Sequence, residues 1–88
     1  MVGIFRVKKV GPVTQISKTD GSFFNKRTIE VQAWGGPLED RFALDLFDDN
    51  ATRTYEVEQL VRASLLFGTF TLQERILQYV HVKEIMDV

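Results

Sequence analysis

TIEVQAWGGPLEDRFALDLF, residues 28–47, holds two runs of strict alternation. In the first, Ile29, Val31 and Ala33 fall on one side, and Thr28, Glu30, Gln32 and Trp34 on the other. In the second, Phe42, Leu44 and Leu46 alternate with Arg41, Ala43, Asp45 and Phe47. A period of two marks a half-buried strand, with one face on the core and one on solvent. Gly35-Gly36-Pro37 supplies a tight turn between them. The two strands are therefore expected to pair as a hairpin that points Trp34, Arg41 and Phe47 outward together.

Working outward, residues 4–17 carry Ile4, Phe5, Val7, Val10, Val13 and Ile16, interrupted by Gly11-Pro12. Gly and Pro inside a strand pattern point to a bulge or bend, so one long strand, bent midway, is expected to serve both sides of a small barrel. Residues 17–22 read as a turn, with Asp20-Gly21 supplying a positive φ. Downstream, Asp48 to Tyr55 opens with good helix N-caps, but Thr52 and Thr54 limit the helix to one or two turns. Val57, Leu60 and Val61 lead into a fourth strand, Arg62 to Leu72, with Gly68 marking another bend. Gln73-Glu74-Arg75 is a turn. Leu77 to Ile85 is the fifth strand, and residues after Ile85 are expected to fray. Three strands, a short helix and two strands is the order of the five-stranded Greek-key barrel known as the OB-fold. The expected class is all-β, one domain over residues 1–88.

The 88 residues, 44% of them hydrophobic and seven of them Phe, suit one domain near the lower size limit for folding without staples. Cysteine is absent, which excludes disulfides and thiolate metal sites. Apolar runs such as Ala63 to Phe67 are too short to cross a membrane, and no secretory leader is visible, so a cytoplasmic protein is expected. The net charge of −1 gives no overall pull toward a polyanion. Its distribution is uneven: residues 1–27 hold six basic residues and one acidic, the remainder five basic and eleven acidic. That fits either a molecule with one basic side or two parts of a sheet that pair by charge.

Catalysis is not expected. His81 is the only histidine, so no His/Cys metal set or Cys–His nucleophile can form. Ser64 lacks the setting of a nucleophile elbow. Asp48-Asp49 lacks the spaced oxygens of a calcium loop, and no helix follows Gly35-Gly36-Pro37 to make a phosphate cradle. No cofactor is implied.

Asp40-Arg41-Phe42-Ala43-Leu44-Asp45-Leu46-Phe47, followed by Ala51, Tyr55, Leu60-Val61 and Leu65-Leu66-Phe67-Gly68, resembles the bacterial single-stranded DNA-binding proteins (SSB). In that family the third strand ends in an aromatic, a short helix closes with a Tyr, and a turn leads to a strand of the form apolar–x–apolar–x–Gly. Val2-Gly3-Ile4 through Val10-Gly11-Pro12 is similar to the family's first strand. The chain departs from the pattern at Glu58, where the family has Gly before strand four, and at Arg41, where it often places a stacking aromatic. With no acidic, Phe-ended tail before Val88, it looks like a reduced relative of phage or mobile-element type. The resemblance implies an OB-fold, single-stranded DNA as partner, a role in replication or repair, and assembly as a homo-oligomer, dimer or tetramer.

A non-specific single-strand binder needs cations that track phosphates and aromatic faces on which bases stack. OB-folds bind on the face of strands two and three and with the loops 1–2 and 4–5. The candidate residues are therefore Lys18, Lys26, Arg27, Trp34, Arg41, Phe47 and Arg75. Each has a plainer reading. Trp34 could cover the barrel end beside Gly35-Gly36, Phe47 could pack in the core or an oligomer contact, and each cation could belong to a solvated face. Glu30 and Asp45 share the face and repel phosphate, as would Glu39 and Asp40. The alternative function is an OB-type protein-interaction or assembly module without nucleic-acid binding.

Overall fold

The computed structural model describes residues 1–35 and 41–88. Its elements are β1 (Val2–Val10), β2 (Thr14–Ser17), β3 (Phe23–Ala33), β4 (Arg41–Phe47), α1 (Asp49–Thr52), β5 (Leu60–Leu72) and β6 (Arg75–Asp87). The six strands form one antiparallel sheet, all-β apart from the single helical turn, and the sheet is not closed among the described residues. No helix among them is long and apolar enough to cross a membrane.

The predicted first strand is two strands on one edge of β3. β2 pairs with Phe23–Lys26, and β1 with Ile29–Ala33. The break falls at Gly11-Pro12. There the Gly11 N–H donates to the Thr28 carbonyl at 2.9 Å, and a Cβ on Gly11 would stand 2.7 Å from that oxygen. Only glycine permits so close an approach at the bend. The other edge of β3 takes β4, from Lys26↔Phe47 to Gln32↔Arg41, which is the hairpin read from the alternation. The turn expected at Gly35-Gly36-Pro37 lies in part outside the described residues, as do Glu39 and Asp40.

β1 also pairs with β5, and β5 with β6 along nearly their whole lengths. β6 does not fray after Ile85. It runs to Asp87, which pairs with Val61 and accepts a hydrogen bond from Gln59 Nε2 at 2.7 Å. The β5–β6 turn is two residues, Gln73 and Glu74, both at positive φ, and Arg75 is already in the ladder opposite Leu72.

The core follows the parity of the strands. Phe5, Val7, Ile29, Val31, Leu44, Leu46, Val61, Ala63, Leu65 and Ile85 are buried, joined by Ala51 from α1 and by Tyr55. Phe42, expected inward, stands edge-on to both Phe5 and Phe67 at 6.2 Å. α1 is one turn, as Thr52 and Thr54 predict. Asp48 caps it through its carbonyl, which accepts from Ala51 and Thr52, while its side chain makes no cap hydrogen bond. Burial raises the Tyr55 pKa, and the phenol donates to the Asn50 carbonyl at 2.6 Å. Across the open side between β4 and β6, side chains take over from the ladder. Arg53 donates to the Ile85 carbonyl at 2.6 Å and its own carbonyl accepts from Arg27 on β3 at 3.0 Å.

Candidate nucleic-acid interface

The pairing of β3 with β4 determines which side chains share a surface. Directly opposed residues lie on the same face, so Lys26, Thr28, Glu30 and Gln32 stand beside Phe47, Asp45, Ala43 and Arg41. Trp34 follows Gln32 by two and is 60% exposed. The hairpin thus turns Arg41 and Phe47 to the same outer side, and Trp34 stands exposed in the turn just past β3. Strand separates Ala33, the residue before Trp34, from Lys26 by about 23 Å at roughly 3.3 Å per residue. The two predicted aromatics therefore mark opposite ends of one face.

The Phe47 end holds a feature the sequence reading passed over. β3 begins at Phe23, five residues before the alternation at Thr28 becomes obvious, and this brings Phe24 onto the outer face. Its ring lies 5.9 Å from that of Phe47, tilted by 52°, and Lys18 Nζ sits 5.8 Å from the Phe24 centroid. Lys26 is opposite Phe47 in the ladder. Two aromatic rings and the Lys18 ammonium meet here, with Lys26 beside them in the ladder, the kinds of group that single-strand binding uses. Counting back in twos from Thr28, through Lys26 to Phe24, is the signal that finds it. The polar run Asn25-Lys26-Arg27 hides it.

Toward the middle of the face, carboxylates hold the cations. Arg41 pairs with Glu30 at 3.0 Å, and Lys26 reaches Asp45 at 3.7 Å while Thr28 Oγ1 donates to Asp45 at 2.6 Å. Exposed pairs of this kind contribute about 0–1 kcal/mol, so an incoming phosphate competes with them at modest cost.

Two predicted residues stand elsewhere. Arg27 shares the parity of the buried Ile29, and its guanidinium donates to the Arg53 carbonyl, with Nε buried and unpartnered among the described residues. Arg75 is exposed at the far tip of the β5–β6 hairpin. The uneven charge also resolves. Arg6 and Lys8 lie within 3.7 and 2.7 Å of Glu58, and Lys26 takes Asp45, so half of the early cations are spent on later acids. Glu58 itself stands at φ 75, where the resemblance calls for glycine, and the Lys8 hydrogen bond lowers its pKa.

No family model, curated protein or solved structure matches this chain.

Proposed function

We propose that the chain is an OB-type Greek-key module, similar to the SSB family, that binds single-stranded DNA without base specificity in cytoplasmic replication or repair. β1 and β2 act as the one bent first strand of that topology, and Arg53 ties the open side where a closed barrel would pair. The observation that carries the reading is the Phe24–Phe47 pair with Lys18 and Lys26 beside it on the outer face of β3 and β4. Stacking contributes about 1–3 kcal/mol per base, so Phe24→Ala or Phe47→Ala is expected to weaken binding roughly 5- to 150-fold.

An oligonucleotide that runs the length of this face meets Trp34, the only tryptophan. Its emission is therefore the readout for titration with oligo-dT at low salt. The expected result is a saturable change that fades with salt at a log–log slope near about −3, for about four neutralised phosphates. Lys18→Glu should diminish it, and silence at low salt would refute the reading. The ion pairs Arg41–Glu30 and Lys26–Asp45 favour a second one, a protein-interaction module that has lost nucleic-acid binding. Asp45→Asn separates the two, since it frees Lys26 and tightens DNA binding only if that face binds DNA.

A further inference from the structure

We propose that the outer edge of β6 takes up an extended, acid-flanked peptide segment of another protein as an added strand. Past Leu65, β5 and β6 leave the core and continue as a two-stranded ribbon, joined by the two-residue turn Gln73-Glu74. The residues that flank such a turn exchange both backbone hydrogen bonds, and the exchange recurs at every second pair. Leu72 with Arg75, Phe70 with Leu77, Gly68 with Tyr79 and Leu66 with His81 are therefore the bonded pairs. Ile76, Gln78, Val80 and Val82 aim their N–H and C=O groups away from β5. Two further bonds fix this phase. The Leu65 N–H, turned away from β6, donates to the Met1 carbonyl at 2.6 Å, and the Ile85 carbonyl, turned away from β5, accepts from Arg53.

Among the described residues, no hydrogen bond reaches the outward backbone groups of those four residues. The other edges are guarded: β2 has only four residues behind Gly11-Pro12, and α1 packs against β4. On β6 the register shift opposite Ser64 and Leu65 makes Lys83 the extra residue of a bulge, which bounds the open stretch at one end. The hairpin turn bounds it at the other. Residues 76–82 between them contain neither proline nor acid. A row of unpaired backbone groups so bounded is a template for strand addition, in which main-chain bonds hold an extended peptide and side chains at alternate positions select it.

Charge selects the occupant. Arg75 and Lys83 stand at the two ends of the open stretch, and neither has an ion pair among the described residues. Glu74 lies in the turn, beyond the strand, and residues 65–72 on the β5 side carry no charge. A partner strand with carboxylates at the same spacing and apolar residues between them answers both ends, and lays its inner side beside Ile76, Val80 and Val82. A second copy of β6 does not, because antiparallel pairing centred on Tyr79 sets each Arg75 opposite a Lys83. A polynucleotide also fits less well. Half of the outward groups are carbonyls, which repel phosphate, and the Tyr79 ring lies over Gly68, so one of its faces is already taken.

The probe is a labelled peptide of alternating Thr and Val with Asp at both ends, spaced as Arg75 is from Lys83. It is titrated into the full chain and followed by fluorescence anisotropy. The expected result is saturable binding that slows amide exchange at Ile76, Gln78, Val80 and Val82 and leaves Leu77, Tyr79 and His81, already bonded to β5, unchanged. Gln78→Pro removes one outward N–H at an exposed edge position and should weaken binding about tenfold. Arg75→Glu with Lys83→Glu should weaken it about tenfold and transfer the preference to a peptide with Lys at both ends. This swap reads the same edge even if the proline variant fails to fold. No binding, binding indifferent to both variants, or protection without the alternation would each overturn the proposal. So would protection of the same amides by oligo-dT, or by rising protein concentration alone. Oligo-dT binding at Phe24 and Phe47 stands or falls separately, because Gln78→Pro leaves β3 and β4 as they are.

Discussion

β5 passes through two different environments: residues 61–64 lie between β1 and β6, and the stretch beyond Leu65 is paired with β6 alone. Val61, Ala63 and Leu65 are 0–1% exposed, whereas Phe67, next in the same parity, is 36% exposed, and Thr69 and Thr71 are open to solvent. The ladder to β6 continues unbroken through both stretches after the shift at Ser64/Leu65. The difference is what lies across from the strand. Below Leu65 there are Phe5, Val31 and Leu44 to pack against; beyond it Phe67 still meets Phe42, and Thr69 and Thr71 have no buried neighbour across from them among the described residues. An isolated two-stranded ribbon is marginal in water, so the ribbon borrows its order from the core while Leu66, Phe70 and Leu72 stay exposed.

If that contrast is right, substitutions of the same chemistry must have unequal effects. Leu44→Ala should cost about 2–5 kcal/mol, most of the stability of a domain this small, while Leu72→Ala on the ribbon stays within about 0.5 kcal/mol. Urea unfolding of both variants measures this, and equal losses would break the comparison. Tyr55→Phe should cost about 1 kcal/mol through the lost bond to the Asn50 carbonyl. Burial raises the folded pKa of this phenol above its unfolded value, so its stabilisation is complete below about pH 10 and is lost as pH rises through the folded pKa. Melting temperatures of Tyr55→Phe should show that part of the alkaline loss removed.

The ribbon's tip sharpens the contrast from the other side. Gln73 and Glu74 hold φ 49 and 66, the left-handed pair that a two-residue hairpin turn demands and that Asn-Gly adopts most readily. Gln73→Asn with Glu74→Gly should slow amide exchange in residues 66–82, by about 1 kcal/mol, and leave the core amides unchanged. The smallest effect is expected at Glu58. Its folded pKa is lowered, so its contribution is present above the unfolded value and lost as pH falls through the folded one. Glu58→Gln should lower the neutral melting point slightly and remove that part of the loss on acidification.

Much of the architecture was legible where burial imposes alternation. β4 spans Arg41–Phe47, as read, and the outer and inner residues of the β3–β4 hairpin fall as their parity requires. The single turn of α1 and the kink at Gly11-Pro12 follow from local chemistry. The ribbon's exposure was not legible, because Leu66, Phe70 and Leu72 have the composition of a buried strand and only the end of the opposing layer decides otherwise. Arg27 lies before the alternation that starts at Thr28, because Asn25-Lys26-Arg27 is polar throughout, whereas the ladder with β2 and β4 carries the strand through this run. The pairing of Glu30 with Arg41 and of Asp45 with Lys26 needs the register of two strands, which one strand's pattern does not contain.

On the proposed reading, oligo-dT binds the outer face of the β3–β4 hairpin at its Phe24–Phe47 end and leaves the β5–β6 ribbon untouched. Amide shift mapping of the labelled chain with oligo-dT at low salt tests it directly. The prediction is that Lys18, Phe24, Lys26 and Phe47 shift together while residues 66–72 and 75–79 stay in place. Shifts centred on the ribbon, with the Phe24–Phe47 end unmoved, would contradict it.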